Sequence, residues 1–411
     1  MPTDVNLARQ PIFDRDILVC GYELLSRSSS LLDHFSDLDP SAATGRVIGD
    51  AFLNLDLRGL TDGLPAYINF TRDRLVDASV RALPADAVVI EVLDGVEADE
   101  EVVAACRALG DAGYRLALDD WVGGDLRRPL LEVVHEVKID MPATDAAQRR
   151  ALVRLARDHG LRVTAEKVET RAQYAEAAGL GCDAFQGYFF QQPALVRGKR
   201  MAPALPGHLQ LLALVDEPII DYDAIAQLIK HDIALSWKFV NYINTVWFGW
   251  RQRVDSVRQA LVLLGDRGVR QWVSLTALAG VAEEQPGEVV TTAVIRARAC
   301  ELLARELEGV APLDALLGGM FSLIDVLLDE PMADALGRVS VPGGARAALL
   351  DGQGPLAGLL AAVRAYERGD WEAAGQAADA IGLPASGIGP RYLEAVTWAQ
   401  RVSGELAEHA V

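Results

Sequence analysis

The chain has 411 residues, 51% of them apolar and 24% charged, which excludes a disordered protein and allows two domains of ordinary size. Its formal charge of -19 excludes broad electrostatic binding to nucleic acid or an anionic membrane, which needs Lys and Arg in excess. No apolar run approaches the ~18 residues of a membrane-spanning helix, and Met1-Pro-Thr-Asp-Val-Asn6 lacks the regions of a signal peptide, so a cytoplasmic protein is expected. Cys20, Cys106, Cys182 and Cys300 are scattered with no CxxC pair and read as reduced, mostly buried thiols.

From the start, Ile17 to Cys20 before Gly21 suggests a strand, with Glu23 and Arg27 at its end. Thr44 to Leu57 has helical apolar spacing. Ala66-Tyr-Ile-Asn69-Phe70 reads as a strand, Leu75 to Leu83 as a short helix stopped by Pro84, and Ala87 to Val92 as a buried strand carrying Glu91. A helix from Glu100 to Ala112 leads to Leu116-Ala-Leu-Asp119-Asp120, an apolar run ending in adjacent carboxylates. Glu136-Val-Lys138-Ile-Asp140, a helix from Asp145 to His159, the strand Leu161 to Glu169, a helix from Arg171 to Ala178 and the strand Ala184 to Phe190 complete the first half. Repeated βα units predict a parallel sheet, most economically a TIM-like (β/α) barrel, over residues 1–195. Residues 196–207, rich in Pro, Gly, Lys and Arg, read as a linker, and 208–411 as an all-α domain. Its predicted helices are Tyr222–Ile229, Ile233–Asn244, Ser256–Leu264 closed by Gly265, Val269–Ala279, Thr291–Leu307, Ala315–Leu328, Leu356–Arg368 and Arg391–Glu408.

Each predicted strand delivers a polar group at or near its carboxyl end: Glu23, Asn69, Glu91, Asp119 with Asp120, Lys138, Glu166 with Glu169, and Gln186. The carboxyl face of such a barrel is where sites collect. Oxygen donors without paired His or Cys favour Mg²⁺ or Mn²⁺ over Zn²⁺. Two such ions a few Å apart would suit phosphodiester hydrolysis. His231-Asp232 suggests a second metal site but lacks further histidine ligands, and Asp232 suits a helix start. Tyr242, Trp247, Phe248 and Trp250 read as core aromatics, the alternative being a docking surface if Trp247 or Trp250 is exposed.

In order along the chain, Gln10-Pro-Ile12, Gly21-Tyr-Glu-Leu-Leu-Ser-Arg27, Tyr67-Ile-Asn-Phe70, Ile90-Glu-Val-Leu-Asp94, Leu118-Asp-Asp-Trp121, Val137-Lys-Ile-Asp140, Ala165-Glu-Lys-Val-Glu-Thr170 and Phe185-Gln-Gly-Tyr188 resemble the EAL domain, a bacterial cyclic di-GMP phosphodiesterase module. Ile229 to Asn244, Phe248-Gly249 and Val257 to Gly265 resemble the HDOD domain. The tandem looks like the YuxH-like EAL-HDOD signalling proteins.

That resemblance implies metal ligation by Glu23, Asn69, Glu91, Asp119 and Asp120, and a catalytic group of Lys138, Glu166 and Glu169, with Lys138 holding the attacking water. It further implies substrate contacts from Arg27 and Gln186, and a loop anchor at Asp94, where the family carries glutamate. Trp121 to Arg128 replaces the family's Phe-Gly-Thr-Gly-Tyr-Ser-Ser coupling loop, and Lys167 stands where glycine is usual. The expectation is a protein that binds cyclic di-GMP with Mg²⁺ or Mn²⁺, turning it over slowly to pGpG or not at all, with a homodimer as a candidate assembly. The helical domain would relay the state to a protein partner. The alternative is a catalytically dead scaffold acting only through protein contacts.

Overall fold

The computed structural model describes residues 7–26, 57–77, 79–124, 126–191, 220–231, 257–281, 287–328, 330–337 and 341–407. Arg27, most of the Thr44–Leu57 segment, the Ile233–Asn244 segment and the aromatics Tyr242 to Trp250 lie outside them. Two compact units result: Met1–Gln192 with Ala365–Trp371, and Pro193–Arg364 with Glu372–Val411.

The first unit is a closed barrel of eight strands in chain order: β1 Leu7–Asp14, β2 Val19–Ser26, β3 Ala66–Phe70, β4 Val88–Val92, β5 Arg115–Leu118, β6 Glu136–Asp140, β7 Arg162–Glu166 and β8 Ala184–Gln186. From β2 to β8 neighbours pair in parallel, whereas β1 is antiparallel to both β2 and β8. The sequence reading missed β1, because Pro11 in its middle argues against a strand and its polar residues do not alternate. The β1–β2 turn is held by Asp14, whose Oδ1 accepts from the backbone N–H of Asp16 and of Leu18, both at 2.9 Å. These bonds offset the left-handed backbone of Ile17, φ 60°.

Strands β4 and β6 are buried throughout, as strands walled on both faces must be. The helices around them start where side chains satisfy their first N–H groups. Asp99 accepts from Val102 N ahead of Glu100–Asp111, and capping boxes of Asp145 with Gln148 and Thr170 with Gln173 open Ala146–Asp158 and Arg171–Leu180. The single helix expected over Leu75–Leu83 is instead a turn of helix at Arg72–Val76 and a 3-10 turn at Ser79–Ala82. Leu75, Val80 and Leu83 all face inward, and their spacing of five and three residues does not fit one helix face.

Inside the barrel, Ile12, Tyr67, Val89, Ala117 and Ala184 form an apolar layer with Cys20 against it. Gly21 makes room for it, since a Cβ there would lie 2.7 Å from the Tyr67 ring. Side chains alternate along a strand, so the same interior face two residues further on carries Asn69, Glu91, Asp119 and Gln186. Glu136 and Thr164 are followed likewise by Lys138 and Glu166. The polar groups at the strand ends are thus one layer of the barrel interior.

Among its described residues the second unit is helical, in agreement with the sequence reading. Gly287–Ala304 is buried around nearly its whole circumference and is its central helix. The helix Pro312–Met320 approaches it closely, because a Cβ on Gly319 would lie 2.6 Å from Ala297 Cα. The buried Arg296 guanidinium donates to Ser322 Oγ at 2.7 Å. Val257–Val281 runs as two helices broken at Gly265, φ 67°, where the sequence placed the stop. The sequence reading missed the helices Met332–Ala335, Gly343–Asp351 and Trp371–Ala380. No helix among the described residues is long and apolar enough to cross a membrane.

Candidate functional site

Lys138 stands at the centre of the polar layer, fully buried. Its Nζ pairs with Glu91 Oε1 at 2.5 Å, Glu166 Oε1 at 2.6 Å, Asp119 Oδ1 at 3.0 Å and Glu23 Oε2 at 3.1 Å. Glu23 is held from two further sides: Asn69 Nδ2 donates to its Oε1 at 3.1 Å, and Gln186 Nε2 donates to its Oε2 at 2.5 Å. Gln186 Nε2 also donates to Gln10 Oε1 at 2.9 Å. Gly187 fixes the end of β8 that carries Gln186, because at φ 139° any Cβ there would overlap the Val168 backbone. Glu23, Asn69, Glu91, Asp119, Lys138, Glu166 and Gln186, contributed by β2 to β8 or the residue just after them, therefore meet in one ring.

Four carboxylates surround one ammonium. Burial, reinforced by the neighbouring acids and only partly opposed by Lys138, holds the Glu91 and Glu166 carboxyls well above the ordinary glutamate range. Burial works against the charge on Lys138, but Asp119, Glu166, Glu23 and Glu91 outweigh it and hold the ammonium well above its usual pKa.

Asp120 takes no part in the ring. Its backbone is left-handed, φ 43°, and its Oδ1 accepts from Lys167 Nζ at 2.7 Å. Lys167 also donates to Asp140 Oδ2 at 2.6 Å. Glu169 lies exposed in the loop after β7, with its N–H donating to Gln173 Oε1, and Asp94 is exposed after β4. The sequence reading missed Arg127, whose Nη2 donates to Asp119 O at 2.8 Å and Val92 O at 3.1 Å and so ties the following loop to two strand ends. Carbonyl acceptors leave no mark in a sequence, so no signal could have found it.

The EAL domain family matches residues 46–193 and the HDOD domain family residues 202–332. Uncharacterized protein YuxH of Bacillus subtilis is 30% identical over 402 residues, 96% of this chain and 98% of that protein. The cyclic di-GMP phosphodiesterase CdgJ of Vibrio cholerae is 32% identical over 400 residues, 97% of this chain and 93% of that protein. The chain belongs to the EAL-HDOD family. A solved EAL domain protein from Listeria monocytogenes is 24% identical, covering 46% of this chain and 87% of that one, with a TM-score of 0.35. The EAL family match begins after β2, so the place of Glu23 in the site rests on the barrel itself, where β2 brings it onto Lys138.

Chemically, the EAL ring offers only oxygen donors to a cation, and several have nothing to accept from: Asn69 Oδ1, Glu91 Oε2, Glu166 Oε2 and Gln186 Oε1 are buried without a hydrogen-bond partner. Such orphaned acceptors suit a hard divalent ion in kind. Among the described residues, no group of three or more His, Cys, Asp or Glu side chains is arranged to hold a metal as it stands. Lys138 Nζ fills the centre, and a cation held there would have to share these oxygens with the ammonium.

Proposed function

We propose that the barrel mouth binds cyclic di-GMP together with Mg²⁺ or Mn²⁺ and hydrolyses one of its phosphodiester bonds slowly, giving the linear dinucleotide. The observation that carries this reading is the ring on Lys138, in a chain 32% identical to a cyclic di-GMP phosphodiesterase along nearly its whole length. Glu23, Asn69, Glu91 and Asp119 would hold the cation, and Asp120 joins them if released from Lys167. A bound divalent ion supplies Lewis acidity toward a phosphoryl oxygen and acidifies water. Lys138 would donate to the attacking water and orient it. Glu166, in its carboxylate form and made a stronger base by burial, would accept that water's proton, while the departing ribose oxygen takes a proton from solvent. Gln186 keeps Glu23 in place. Arg27 grips a phosphate with its planar pair of donors, and Glu169 and Asp94 act from the rim. The helical unit relays the bound state to a protein partner.

Calorimetry on the full chain with Ca²⁺ and cyclic di-GMP should give saturable heat, and Mn²⁺-dependent conversion should vanish in Glu23→Ala and Lys138→Ala. Absence of heat at high micromolar nucleotide would overturn the reading. A scaffold without nucleotide is the second reading, favoured by the way Lys138 already occupies the centre of the carboxylates; it predicts that absence.

A further inference from the structure

Six carboxylates converge at the mouth, and two ammonium groups divide them: Lys138 takes Glu23, Glu91, Asp119 and Glu166, and Lys167 takes Asp120 and Asp140. The division cuts between the neighbours Asp119 and Asp120. It is held by unusual backbone, since Asp120 at φ 43° and Lys167 at φ 55° both occupy the left-handed region that side chains disfavour. Two charge-assisted bonds, at 2.7 and 2.6 Å, lie on the other side of that balance. Asp140 is anchored further by Ala143 N, which donates to its Oδ1 at 2.7 Å. Lys167 thus spans the ends of β5, β6 and β7 beside the ring, where Glu166 Oε2 is buried and unpartnered.

We propose that Lys167 is a built-in cation that withholds Asp120 and Asp140 from divalent metal, so that the mouth takes one divalent ion where its carboxylates could hold two. This inference rests on the reading that the mouth takes a divalent ion at all. An ammonium in contact with both carboxylates fills the space between them, cancels much of their charge and repels a dication brought within a few Å. The lysine is half exposed, so its charge reaches the solvent-facing side of the site, where substrate phosphates would arrive.

The test is equilibrium dialysis of the full chain against Mn²⁺, with the free ion read by electron paramagnetic resonance. Lys167→Gly, which also suits the left-handed backbone, and Lys167→Met, which keeps the stem without the charge, should each bind one more ion per chain than the unaltered protein. Lys167→Arg should match the unaltered protein, and Asp120→Asn added to Lys167→Gly should remove the extra ion. Equal ion counts in the unaltered protein and both uncharged variants would overturn the inference. If the unaltered protein binds none and Lys167→Gly gains one, the cation part of the proposed function fails while the role of Lys167 stands.

Discussion

Strand β6 places two buried polar groups two residues apart on the same interior face, and they are treated in opposite ways. Glu136, in the lower layer, accepts from the Tyr67 hydroxyl at 3.1 Å and from the Thr164 hydroxyl, with the Arg162 guanidinium 3.8 Å away. One acid there has three partners, and neither of its oxygens is left over. Lys138, in the upper layer, is one cation among four acids, and Glu91 Oε2 and Glu166 Oε2 are left with no donor. Both groups are buried. A closed network of this kind stabilises a barrel, while a layer short of donors is tolerated where a ligand completes it.

The contrast breaks most violently at Lys138. Lys138→Met leaves the carboxylates without their counter-charge and should cost ~3–5 kcal/mol in urea unfolding. Saturating Mn²⁺ should restore part of that loss, since a cation then replaces the one removed. A loss below about 1 kcal/mol would mean that the acids are protonated and that Lys138 is not their counter-ion.

The pH dependence comes next in size. In the unfolded chain Glu91 and Glu166 titrate near ~4.3, and in the barrel both are raised, by burial first. Between those two pKa values the folded state binds more protons than the unfolded one. Stability without metal should therefore fall as pH rises through that window, by up to ~1.4 kcal/mol per pH unit for each carboxylate. Lys138, raised as well, keeps its charge throughout and does not reverse the sign. Excess Mn²⁺ should flatten the fall, because metal binding releases the same protons. Urea midpoints that do not change from about pH 5 to about pH 8 without metal would contradict this.

The lower layer should respond differently. Glu136→Gln keeps the shape and a carbonyl acceptor but gives up the charge facing Arg162, and should cost ~1–3 kcal/mol without changing Mn²⁺ or nucleotide affinity. If nucleotide affinity in Glu136→Gln drops as far as in Lys138→Met, the two layers are one functional unit and the distinction falls.

What could be read from the sequence follows the same division. Ala66–Phe70 and Glu136–Asp140 were legible to the residue: the first is an apolar run in which Asn69 stands out, and in the second Val137 and Ile139 alternate with Glu136, Lys138 and Asp140. The ring was legible as one polar residue at each strand end, since every parallel strand delivers its carboxyl end to the same face. Which acids meet Lys138 was not, because that depends on register between strands; Asp140 pairs in register with Glu166 yet bonds Lys167. The helix Trp371–Ala380 escaped because its alanines bury without the large apolar residues that mark a helix face.

The smallest expected effect concerns Asp94, which the family resemblance casts as the anchor of the loop after the acid pair. That loop already has a tie in Arg127, whose guanidinium donates to the carbonyls of Val92 and Asp119. Burial lowers the pKa of Arg127, and the nearby charges of Asp119, Asp94 and Asp120 oppose that loss. Asp94 thus acts on the loop through the field at Arg127, from an exposed position where solvent screens it. Asp94→Asn should shift stability by less than ~0.5 kcal/mol and leave cyclic di-GMP affinity within about twofold by calorimetry. A tenfold loss would instead make Asp94 part of the support of the mouth, and move the boundary between its partnered and unpartnered groups out to the rim.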